Sequence, residues 1–170
     1  MRVVLFAFRN VGYECIKILI DKSNLPTLVV IPVEKNYSNR SYFKSIKKLL
    51  IDNKINFFEY SNKKDNVRLE EVINSLNPDF GFSCYFPYII SGKVIKSFKI
   101  GILNLHGGIL PYYKGTFSGV WSILNNEEIT GSTIHFINSE IDNGDIVEIK
   151  KCKITKQDTG QSLYEKVSNL

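Results

Sequence analysis

The sequence predicts an α/β fold, a mainly parallel sheet with helices on both faces. Short apolar runs alternate with segments whose apolar residues recur at helical spacing. The runs are nearly continuous in apolar side chains, as strands covered on both faces require. With 170 residues, 44% of them hydrophobic, the chain can bury a sizeable core as one domain.

Residues 2–8 form the first near-continuous apolar strand. A helix over 12–20 follows, with Ile16, Leu19 and Ile20 on one face, and residues 27–32 form a second buried strand. From about Ser41 a helix carries Tyr42, Ile46, Leu49 and Leu50 at helical spacing. Residues 56–60 make a third strand, 67–76 a helix with Val72, Ile73 and Leu76 inward, and 79–83 a fourth strand. A fifth strand, 101–106, arrives from a Lys/Ser-rich turn. Gly107-Gly108 then turn the backbone, and Pro111 and Gly115 punctuate a loop before the amphipathic stretch 117–124, where Trp121 reads as a core aromatic. A turn feeds a strand over 129–137; a polar loop, 138–145, and a strand from 146 to about 151 come next. The chain stops within an amphipathic helix, 161–170, that has no C-terminal capping residue. This topology is Rossmann-like. The first turn, Phe8-Arg9-Asn10-Val11-Gly12, lacks the Gly-x-Gly-x-x-Gly that lets a backbone approach a pyrophosphate, which argues against a dinucleotide dehydrogenase.

Composition narrows the classes further. No apolar run approaches a membrane span, and the N-terminus runs straight into a strand instead of a signal peptide. Cys15, Cys84 and Cys152 are scattered, with no paired spacing for metal or redox work, so a reducing cytoplasm is the expected compartment. The formal charge of +5 is spread over lysines without a dense basic stripe, so nucleic acid is not favoured as a partner.

The chemistry concentrates in two loops. On the fifth strand, side chains two apart share a face, so Asn104 and His106 project together beside Gly107-Gly108. Polar side chains at the carboxyl end of a strand are where open α/β sheets place ligands. Asn-x-His alone is too short to be specific and by itself favours the milder reading, in which His106 is a satisfied core histidine and Asn104 caps a turn. The second loop shifts the balance by adding Asp142. Asp142 and Asp145 flank Gly144, as in a hairpin turn; a cation loop is a weaker reading, since hard cations want more oxygens.

Taken together, Asn104-Leu105-His106, Leu110-Pro111-x-Tyr113-Lys114-Gly115, Trp121-Ser122-Ile123-Leu124-Asn125, Thr130-Gly131-Ser132-Thr133-Ile134-His135 and Asp142-Asn143-Gly144-Asp145-Ile146 resemble the formyltransferases that use 10-formyltetrahydrofolate. The resemblance covers essentially the whole chain, in the family's order, and identifies residues 1–170 as a catalytic domain, either cut short at its C-terminus or unusually short. Lys114 stands where the family often has Arg, and Gly107 and Gly108 lie at variable positions.

The resemblance implies N-formyl transfer from 10-formyltetrahydrofolate by direct attack, with Asn104, His106 and Asp142 as catalytic residues and no metal. A carboxamide N–H suits the oxyanion, and a near-neutral imidazole suits the proton. Asp142 would orient His106, stabilise its cation or collect the proton. His135 matches the family pattern but is given a structural role. The family's pterin pocket maps onto Tyr85, Phe86, Pro87, Tyr88 and Ile89, with Ile137, Asn138, Glu140 and Ile141; those aromatics could equally be core. Arg9, Asn10, Gly107 and Lys114 fall on the acceptor side. The first-choice acceptor is a nucleotide-linked amino sugar. The alternatives are methionyl-tRNA, glycinamide ribonucleotide, water in a hydrolase, or a non-catalytic folate- or sugar-nucleotide-binding remnant. A homodimer stays open as the assembly.

Overall fold

The computed structural model describes residues 1–34 and 44–170. Its backbone contacts divide the chain into two compact units, Met1–Ile102 and Leu103–Leu170.

In the first unit, β1 (Val3–Ala7), β2 (Leu28–Pro32), β3 (Phe57–Tyr60) and β4 (Phe80–Cys84) pair in parallel in the order β3-β2-β1-β4. Parallel neighbours need crossovers, and α1 (Arg9–Asp21), α2 (Ile46–Asp52) and α3 (Asn66–Leu76) supply them. β1 and β2 are buried along almost their whole length, as their unbroken apolar sequence requires. One core cluster joins Leu5, Ala7, Val29 and Ile31 to Ile16 of α1 and to Ile46 and Leu50 of α2. Tyr60, Phe86 and Tyr88 form a second cluster, in which the Phe86 ring meets Phe6 edge-on at 5.5 Å.

Three details of this first unit differ from the sequence reading. The helix expected from Ser41 is described from Ile46, where the Ser45 hydroxyl caps it by accepting from Lys48 N–H at 3.0 Å; Ser41 and Tyr42 lie outside the described residues. A short helix, α4 (Gly92–Lys96), was not expected; Ser91 caps it and it buries Val94. The cysteines are less scattered than their spacing suggests. The Cys15 and Cys84 thiols hydrogen-bond, which holds Cys15 below the usual thiol range and, with burial, pushes Cys84 well above it.

β5 (Gly101–His106) crosses the boundary between the units. In the second unit it pairs antiparallel with β6 (Ile129–Phe136), which pairs antiparallel with β7 (Ile146–Lys153). α5 (Ser118–Leu124) and α6 (Gly160–Ser168) complete this unit. α5 inverts the expected amphipathicity. It buries Ser118 and Ser122, whereas Trp121, read as a core aromatic, is 55% exposed. Ser118 packs closely on Gly108, where an added methyl group would stand 2.7 Å from Ser118 Cβ. Ser122 satisfies its hydroxyl on the Ser118 carbonyl at 3.0 Å. Among the described residues, no helix is long and apolar enough to cross a membrane.

Candidate active site

β5 and β6 place the polar groups. Their register sets Asn104 opposite His135 and His106 opposite Thr133. Residues directly opposite across an antiparallel pair lie close enough to touch. Asn104 Nδ2 stands 3.2 Å from His135 Nε2. Thr133 instead braces the turn that follows His106. Its hydroxyl donates to Gly108 O at 2.6 Å and accepts from Leu110 N–H at 3.2 Å. Gly108 has to be glycine here, since a Cβ would meet His106 Nε2 at 2.9 Å as well as Ser118.

Asp142 comes from the loop between β6 and β7, in a left-handed conformation (φ 47°) that few non-glycine residues adopt without an anchor. The anchor is Gly115, whose N–H donates to Asp142 Oδ2 at 2.8 Å. That same oxygen lies 3.3 Å from His106 Nδ1, and Oδ1 lies 3.5 Å from His135 Nε2. The chain has two histidines, and one carboxylate faces both.

Hydrogen-bond chemistry fixes the protons. Carbonyl oxygens only accept, so the 2.6 Å contact between His106 Nε2 and Tyr113 O places a hydrogen on Nε2. Nδ1 then carries the lone pair when the ring is neutral. Burial lowers the His106 pKa from the ordinary histidine value and His135 adds to this; Asp142 and the Tyr113 carbonyl oppose the shift without overcoming it. The ring is therefore a neutral base at pH 7, and a proton arriving at Nδ1 would complete an ion pair with Asp142. Asp142 itself lies below the usual carboxylate range. Burial, the largest influence, pushes it up, but His135, His106 and the Gly115 amide together outweigh burial. The arrangement offers a carboxamide donor beside a buried base and its counter-ion.

Residues 7–170 match the sequence model of the formyl transferase family. The chain belongs to that family. It is 34% identical over 167 residues to the bifunctional polymyxin resistance protein ArnA of Wigglesworthia glossinidia brevipalpis, covering 98% of this chain and 25% of that protein. It thus spans a quarter of the length of that relative. The fold matches a phosphoribosylglycinamide formyltransferase from Bacillus halodurans with a TM-score of 0.82 at 19% identity, over 99% of this chain and 88% of that one. An N-formyltransferase from Helicobacter canadensis, solved in complex with folinic acid and dTDP-3-aminofucose, matches with a TM-score of 0.72 at 24% identity, over 99% of this chain and 59% of that one. The Rossmann-like fold class expected from the strand–helix alternation is the fold these structures share.

The remaining site candidates divide between the two units. In the second, Gly107 O accepts from the Ser118 hydroxyl, and Lys114 Nζ donates to the Asn143 side chain. Asn138 and Glu140 hold the Asp142 loop through Asn143, Ile137 is partly buried and Ile141 is exposed. In the first, Arg9 opens α1 with its guanidinium 5.4 Å above the Phe8 ring, and Asn10 follows it in the helix. Tyr85 adopts a left-handed φ of 57°, Phe86 and Tyr88 pack into the aromatic cluster, and Pro87 and Ile89 are exposed. Among the described residues, no group of three or more His, Cys, Asp or Glu stands ready to hold a metal ion. Sequence reasoning missed the site contacts of His135, Thr133 and the Gly115 amide. The pairing of β5 with β6 would have revealed the first two.

Proposed function

We propose that this chain transfers a formyl group from 10-formyltetrahydrofolate to the primary amine of a nucleotide-linked amino sugar. The observation that carries the formyl-transfer reading is the convergence of Asn104, His106 and Asp142 in one unit of a formyl transferase family member. The donor supplies an N-formyl carbonyl. Its oxygen gains negative charge when an amine attacks, and the amine must lose a proton. These residues fit both demands. Asn104 spends one N–H on His135 and keeps the second for an oxyanion. With Nε2 already committed to Tyr113, His106 takes the amine's proton at Nδ1, where Asp142 stabilises the resulting charge; the tetrahedral centre then collapses by breaking its bond to the folate nitrogen, which takes up that proton as tetrahydrofolate leaves. Tyr85, Phe86, Pro87, Tyr88 and Ile89, with Ile137, Asn138, Glu140 and Ile141, are proposed for the folate; Arg9, Asn10, Gly107 and Lys114 are proposed for the acceptor. Function in the cytoplasm and as a homodimer belongs to the same proposal.

The sugar acceptor draws support from the Helicobacter canadensis enzyme, whose complex contains dTDP-3-aminofucose. A second reading, glycinamide ribonucleotide as acceptor, is favoured by the higher TM-score of the Bacillus halodurans enzyme. An acceptor screen decides between them. Tetrahydrofolate release from 10-formyltetrahydrofolate is followed with nucleotide-linked amino sugars, glycinamide ribonucleotide, methionyl-tRNA or water alone. Turnover with an amino-sugar nucleotide and not with the others is expected. Turnover only with glycinamide ribonucleotide would replace the first reading, and none above the water rate would leave a binding remnant.

A further inference from the structure

His135 is 2% exposed, and every atom of its ring that can hydrogen-bond has a neighbour. Nδ1 lies 2.9 Å from its own chain's Phe136 O, an acceptor only, so Nδ1 carries the hydrogen. In the neutral ring Nε2 is therefore bare. It faces two groups at once, Asn104 Nδ2 at 3.2 Å and Asp142 Oδ1 at 3.5 Å. One nitrogen cannot accept from the first and donate to the second in the same state: a bare Nε2 makes the shorter contact, with Asn104, whereas a protonated Nε2 would donate to Asp142. A carboxamide has two faces of nearly equal shape and opposite polarity. If Asn104 flipped, its oxygen would point a lone pair at the lone pair of Nε2. The histidine tautomer thus selects which end of the carboxamide faces which way.

We propose that His135 is a positioning residue. Its Nδ1–H tautomer, locked by the Phe136 carbonyl, orients the Asn104 carboxamide so that the second N–H is presented to the developing oxyanion. The functional half of this statement rests on the formyl-transfer reading; the orientation does not. His135 does not itself touch reacting atoms. It acts as the outer partner of a metal-bound histidine does, fixing the group that does the work.

Two measurements test it. Long-range ¹⁵N–¹H correlation on the neutral wild-type protein gives one ring system per histidine, and a His106→Asn variant tells the two apart. The expected pattern for His135 is a protonated Nδ1 and a bare Nε2; a protonated Nε2 would overturn the orientation whatever the protein catalyses. Kinetics then test the consequence. His135→Phe, which removes the acceptor, should lower kcat by roughly 10-fold or more with the donor KM changed less than about 3-fold, staying within the cost of losing an oxyanion donor. His135→Gln, whose side-chain oxygen can accept from Asn104, should recover part of that loss. In an Asn104→Ala background His135→Phe should cost nothing further. Wild-type kcat in His135→Phe, or equal losses in both backgrounds, would refute the positioning role. If His135→Phe fails to fold, the Gln variant against wild type and the tautomer still decide. If no acceptor supports turnover, the formyl-transfer reading fails while the tautomer result stands.

Discussion

Gly144 bears on the proposed catalytic role of Asp142 without carrying a functional group, and replacing it with alanine tests how tightly Asp142 must be held. A Cβ at this position would stand 2.7 Å from the Phe136 carbonyl carbon and closer still to its oxygen. Ordinary contact begins near 3.4 Å and the nearer oxygen sets the demand, so the backbone must yield by more than about 1 Å, and no side chain can move to absorb the clash. Asp142 lies two residues away on the same short loop, with its carboxylate already at 3.3 Å from His106 Nδ1. A displacement on the order of 1 Å in a catalytic arrangement costs about 100-fold in rate. The clash also strains the Phe136 N–H to Asp145 O hydrogen bond (2.9 Å), worth about 0.5–1.5 kcal/mol. At about 2 kcal/mol per molar urea, that loss lowers the unfolding midpoint by about 0.25–0.75 M. Gly144→Ala should therefore remain folded, unfold at slightly lower urea and turn over roughly 100-fold more slowly, read as tetrahydrofolate release with the acceptor found in the screen. Wild-type turnover together with a wild-type midpoint would refute the reasoning.

Other expectations are equally direct. Asn104→Ala should cost about 10²–10³ in turnover as an oxyanion donor; His106→Asn should lose most transfer while folate binding, measured by fluorescence titration, persists. Stability should fall with acidity in two stages. Because the folded His106 resists a proton that the unfolded ring accepts, the first loss comes as pH drops through the ordinary histidine range near about 6.5. Asp142, depressed in the fold, contributes stability above the ordinary carboxylate range and loses it as pH falls through its lowered folded value. Urea midpoints from pH 8 to pH 5 should thus slope downward in the wild type and less so in His106→Asn. The acid limb of kcat should lie below the ordinary histidine value, and a limb above it would contradict a buried neutral base. Iodoacetamide should modify Cys15 ahead of Cys152 and leave the buried Cys84 until last, as peptide mass mapping would show, because the thiolate is the reactive form.

The strand–helix alternation was legible because β1 and β2 are buried along almost their whole length and their apolar runs have no competing explanation. Asn104 and His106 were legible as a pair from the two-residue strand period alone. What escaped depends on long-range geometry. His135 touches Asn104 through an antiparallel register spanning 31 residues, and nothing local to Ile134-His135-Phe136 announces that neighbour. Cys15 and Cys84 likewise meet only because α1 packs against the core beneath β4. Trp121 misled for a different reason. Apolar periodicity reports that a helix has a greasy side, whereas α5 turns Ser118 and Ser122 inward, Ser118 close against Gly108.

The β5–β6 register also works as a ruler for which length changes the protein tolerates. Residues added in the turn between Leu124 and Ile129 lengthen a surface connection and leave Asn104 facing His135. One residue added between Thr133 and His135 cannot be hidden in this way. Thr133 would keep its place opposite His106 only by sending the imidazole to the other face of the sheet, because side chains alternate along a strand. The irregularity where β6 meets β7, at Ile134 and His135, already uses the slack available there. Anyone redesigning this hairpin can therefore vary the size of its entry turn, whereas the count from Thr133 to His135 has to stay as it is.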